Sequence, residues 1–163
     1  MKSNNKYLNV LFFTLSLCAC KSQIVQYRIA DHYSGPCAVF VVSSTQVHDK
    51  SYIISLDNGL GAVTNELTKK RFIFQSIETK KEIEIIPIGK ETEAEDNVRY
   101  VFRLTNDFTS SDCTSKDIHK ISFFIANKSD FLNWRKEYDD ELEYFKLHGI
   151  DWCKYYKNLF KHQ

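Results

Sequence analysis

Two cysteines one residue apart, Cys18 and Cys20 in the stretch LSLCACKSQ, are the first side chains with reactive chemistry, and Cys37, Cys113 and Cys153 follow. A thiol can act as a nucleophile, bind a metal or pair as a disulfide, and spacing discriminates among these uses. No two of the last three cysteines stand at the short paired spacing of a zinc site. The five histidines, His32, His48, His119, His148 and His162, are scattered and fall in no nucleophile, zinc or acid-base motif. Ser34 in YSGPC and Ser129 lack the strand-turn-helix setting of a hydrolase nucleophile. Gly59 and Gly61 are not followed by the further glycine and helix that cradle a phosphate. The residues therefore name no catalytic group, no metal ligands and no cofactor, and they point to a non-enzymatic protein.

What precedes Cys20 assigns it a different chemistry. Lys2 and Lys6 lead into the apolar run from Tyr7 to Leu17. That run has the length of a signal-peptide core and falls well short of the roughly twenty residues that span a bilayer. Leu17, Cys18 and Ala19 then lead into Cys20, whereas a cut before Cys18 would set the bulky Leu17 against the scissile bond. The pattern resembles the lipobox of bacterial lipoproteins. The resemblance implies that residues 1–19 are removed, that Cys20 receives the lipid, and that residues 20–33 form a lipidated N-terminus and tether ahead of one globular domain, 34–163. Two or three acyl chains would hold such a protein to a membrane far more firmly than one. Lys21 resembles neither the Asp that retains lipoproteins on an inner membrane nor an acidic export cluster, which implies the outer membrane, facing the periplasm.

Loss of residues 1–19 leaves 144 residues, enough for one domain with a real core. It also removes Lys2 and Lys6, so the formal charge falls from +1 to −1, which argues against nucleic acid as a partner. Aromatic residues make up 14% of the chain and Gly plus Pro only seven residues, a composition that packs rather than staying disordered. Cys37, Cys113 and Cys153 remain for an oxidising compartment, and an odd number predicts one bridge and one spare thiol. The pair Cys37–Cys113 is the first choice, closing about 75 residues at up to roughly 4 kcal/mol in the chain-entropy model, with the other two pairings open.

Seven segments read as strands: CAVFVVSS after the Ser34-Gly35-Pro36 turn, SYIISL, GAVTNE, RFIFQSI, EIEIIPI, VRYVFRL and IHKISFFIA. Residues 21–31 read as tether or a frayed strand. The first segment, apolar throughout, predicts a strand covered on both faces. DNG at 57–59 predicts a hairpin between SYIISL and GAVTNE. Pro87 predicts an edge position or the end of its strand. VRYVFRL alternates, with Val98, Tyr100, Phe102 and Leu104 expected inward. The period then changes: Phe131, Arg135, Tyr138, Leu142 and Phe145 recur at helical spacing from a Ser129 cap to Gly149, and Asp151 caps a second short helix. Strands first and helices last predict an α+β fold, an antiparallel or mixed sheet of about six to seven strands with a C-terminal helical pair on one face.

That helical end carries the candidate interaction surface. EYDDELE from 137 to 143 is acidic, and aromatic residues are too many for one narrow buried stripe on two short helices. Trp134, Tyr138, Asp139, Asp140, Glu141 and Tyr144 are therefore the expected contact residues for a protein partner, in the manner of small envelope lipoproteins of immunity or accessory type. The alternative use of the same aromatics is stacking on a carbohydrate or another small ligand.

Overall fold

A computed structural model describes residues 24–43, 52–56, 58–111, 113–138 and 140–160. Among them are eight strands and three helices, stacked in three layers. The outer layer is a parallel sheet of β1 (Ile24–Ile29), β3 (Ile53–Leu56) and β5 (Arg71–Ser76), in the order β3-β1-β5. The middle layer is a mixed sheet of β2 (Gly35–Val42), β4 (Leu60–Thr64), β6 (Ile85–Ile86), β7 (Tyr100–Ser111) and β8 (Thr114–Ala126), in the order β4-β2-β8-β7-β6. The helical layer holds α1 (Lys128–Glu137), α2 (Glu141–Leu147) and α3 (Trp152–Asn158). The fold is thus α+β with a mixed sheet and its helices on one face. The outer parallel sheet and the third helix are additions to the expected architecture.

The layering follows from which strands are apolar on one face and which on two. In β1, Val25, Tyr27 and Ile29 are buried and alternate with half-exposed Gln26 and Arg28. Such a strand suits an outer layer. In β2 nearly every residue is buried, because the outer sheet covers one face and helices the other. Tyr27 stacks on Phe74 at 5.1 Å and Phe74 meets Phe123 edge-on at 4.7 Å between the sheets. On the far face Phe102 stacks on Phe131 at 4.4 Å, and Phe40 is enclosed by Trp152, Tyr155 and Tyr156.

Four expectations are corrected. Residues 24–29, open between tether and frayed strand, are the strand and not a frayed one: β1 is central in the outer sheet, and its alternation supplies three buried side chains. The link through Asn58 and Gly59 makes a crossover between layers and no hairpin, since half-exposed β3 belongs outside and β4, buried on both faces, belongs in the middle. Gly59 in that link has φ +79°, and a Cβ there would stand 2.1 Å from Tyr33 Oη and 2.5 Å from the Pro36 carbonyl oxygen, so only glycine fits. In β7 the alternation breaks at a bulge between Phe102 and Thr105 with Arg103 at φ +49°, so Tyr100 and Phe102 face the helices while Leu104 faces the outer sheet. Val98 precedes the strand and is exposed. Last, the long C-terminal helix is two. Tyr138 is extended, and the Asp140 carboxylate accepts the Glu143 N–H at 2.9 Å to start α2. Asn127, not Ser129, caps α1.

Other expectations hold: β6 is an edge strand ending before Pro87, Gly149 at φ +71° follows α2, and Asp151 caps α3. No described helix is long and apolar enough to cross a membrane.

Candidate functional site

The middle sheet sends the β7–β8 hairpin alongside the helices, and a concavity opens between the hairpin tip and the helices. Strand β8 contributes alternate residues to the helical face, Ile118, Lys120, Ser122 and Phe124, and β7 contributes Asp107 and Thr109 opposite them. Helix α2 covers Ile118 with Leu142 and Phe145. Its first residue, Glu141, is buried, and the Glu141 carboxylate accepts from Lys120 Nζ and from Ser122 Oγ, the latter at 2.6 Å. Lys120 Nζ also reaches Ser122 Oγ at 2.9 Å and the Asp107 carboxylate at 3.3 Å. Burial alone would lower the Lys120 ammonium, but the charge of Glu141, its hydrogen bond and then Asp107 outweigh burial and raise it. Sheet and helix are thereby locked in register beneath the concavity.

The concavity itself is an open groove of about 690 Å³. One wall is the hairpin tip with Thr109, Ser110 and Cys113, and the other is the α2–α3 corner. A Cys113–Cys153 disulfide joins the two walls, with Cα atoms 5.6 Å apart. Among the described residues, Asp140, Glu143 and Asp151 line the groove with one cation, Lys146, and Leu142, Ile150 and Trp152 supply apolar surface. Asp140 and Asp151 are fixed as caps of α2 and α3, so two of the three carboxylates are held in place by the backbone they cap.

The disulfide corrects the Cys37–Cys113 pairing. Cys37 lies on β2, fully buried between the sheets, and is the free thiol among the described residues. Burial pushes its thiol above the ordinary range. Cys113 lies at the tip of a hairpin reaching beyond the end of β2 and meets α3 instead.

The expected contact residues separate. Trp134 is buried against Phe124 at 4.6 Å, and Glu141 is buried on Lys120, so neither is surface. Both lie on the inward side of their helices, where the sheet covers them. Tyr138 and Tyr144 are half-buried, meet edge-on at 5.2 Å, and pack with His148. Asp140 is exposed at the groove. Asp139 and Cys20 lie outside the described residues. Sequence reasoning missed Glu143, Lys146, Ile150, Asp151 and Trp152 as one lining; the adjacency of a cap, a tryptophan and a cysteine in Asp151-Trp152-Cys153 was the available signal. No protein family, no curated protein and no solved structure matches this chain.

Proposed function

We propose that the chain is a lipid-anchored envelope protein without catalytic activity that captures a partner protein in the groove clamped by the Cys113–Cys153 bridge. One observation carries this reading: an open groove of about 690 Å³ combines fixed carboxylates with Trp152, Ile150 and Leu142. That lining suits a peptide segment bearing basic and apolar side chains, because aromatic and aliphatic surface supplies contact area while the carboxylates select charge. The anchor at Cys20 rests on its lipobox-like setting.

Capture from a detergent extract of the cell envelope, with the full-length chain as bait and mass spectrometry as readout, tests the reading. Expected is one protein retained by the wild type and lost with Glu143→Lys, with a melting curve confirming that the variant is folded, since a lysine in the first turn of α2 opposes the helix dipole and costs about 0.3–1 kcal/mol. Retention that is indifferent to Glu143→Lys, or retention on peptidoglycan glycan in place of protein, contradicts it.

A further inference from the structure

Because the outer sheet is parallel, β1, β3 and β5 all begin at one end of the molecule. Ile24 is in register with Arg71, and Gln26 with Ile53. Ile24 and Ile53 are 41% and 42% exposed, and Lys70 and Arg71 are exposed beside them. The β7–β8 hairpin projects toward the same end, since the short turn at 30–34 reverses β1 into β2 and β8 runs antiparallel to β2, and it carries Phe108, 69% exposed, and exposed Lys116. Glu66 and Asp117 are exposed acids near these strand ends, while the groove acids Asp140, Glu143 and Asp151 lie on the helical side of the hairpin, across the middle sheet from the outer sheet. Exposed isoleucine and phenylalanine interleaved with lysine and arginine is the lining that seats on an anionic lipid surface.

The anchor decides that this end meets the lipid. Cys20 and Ile24 are four residues apart, and four fully extended residues span at most about 14 Å. An ordered domain on so short a leash cannot turn its far end to the leaflet. We infer that the face formed by the starts of β1, β3 and β5 lies against the lipid leaflet, with Ile24 and Ile53 at the headgroups and Lys70 and Arg71 on anionic lipid. This rests on acylation of Cys20. The turn after β1, with exposed His32, then stands about 20 Å farther from the bilayer, the length of a six-residue strand.

The full-length chain, carrying p-benzoylphenylalanine at position 53 or at position 32, is irradiated in cells fed labelled palmitate. Expected is label in both proteins, a phospholipid adduct at position 53, and several-fold less adduct at position 32. Label with equal adducts, or with none at 53, overturns the orientation and leaves the anchor standing. Absence of label removes the anchor and the orientation with it. Lys70→Glu with Arg71→Glu is expected to cut the adduct at 53 several-fold with label unchanged, and an unchanged adduct overturns the role of the basic pair.

Discussion

Lys120 and Glu141 are worth more as a pair than either is alone. Both are buried and share Ser122. Removing Glu141 leaves the buried Lys120 with only the exposed Asp107 carboxylate at 3.3 Å, so Glu141→Leu is expected to destabilise by about 3 kcal/mol, whereas Lys120→Met with Glu141→Leu costs far less. Urea unfolding of the two variants checks this, and a double variant no more stable than Glu141→Leu would show that the Lys120 charge left behind carries no penalty. Reduction should be equally legible. The Cys113–Cys153 bridge closes 40 residues, worth about 4 kcal/mol in the chain-entropy model. Dithiothreitol should lower the melting temperature of the wild type and of Cys37→Ala, and leave that of Cys113→Ala unchanged. Sequence supplied the arithmetic of one bridge and one thiol but not the pairing. Cys37 stands in an apolar run, which marks it as interior, yet nothing in its neighbourhood shows that the tip of β8 overshoots β2 and reaches α3.

At the scale of elements, strand and helix identity was written in local period, while layer membership depended on partners distant in the chain. Residues 24–29 alternate as cleanly as any strand, and burial of Val25, Tyr27 and Ile29 decides for the strand where the sequence leaves tether or frayed strand open. The crossover at DNG is harder, because the same turn residues serve a hairpin, and only the two-faced burial of β4 against the one-faced burial of β3 separates the cases. The bulge at Arg103 has no local signal, since a non-glycine residue with positive φ is uncommon. Most of the groove was invisible for the same reason: Thr109, Ser110 and Cys113 form one wall and residues between Asp140 and Cys153 the other, joined only in three dimensions. Helix α1 is held by Phe131, fully buried on Phe102. Phe131→Ala is expected to cost about 3–5 kcal/mol, read by urea unfolding, and a loss below about 1 kcal/mol would contradict the packing described.

For the whole molecule, alkali should be the weak side. Burial pushes the Cys37 thiol and the Tyr27 and Tyr33 phenols above their ordinary ranges, and Lys120 is raised with them. A raised group keeps its proton in the folded state at a pH where the unfolded chain has released it. Its contribution is therefore whole below the unfolded values, about 8.5 for Cys and about 10 for Tyr and Lys, and is lost as pH rises through the folded ones. Melting temperature should fall steadily between pH 8.5 and 11, and a flat profile would show that these groups are not buried as described. The groove and the proposed lipid-facing end share the side of the molecule to which the hairpin projects, so a partner must approach near the leaflet. Both readings rest on the covalent state of residue 20, and the intact mass of the protein extracted from membranes reports it directly. The predicted mass is that of residues 20–163, with the Cys113–Cys153 bridge intact, plus a diacylglyceryl group and any amide-linked acyl chain; a chain that begins elsewhere, or begins at Cys20 without lipid, would contradict the anchor and everything placed on it.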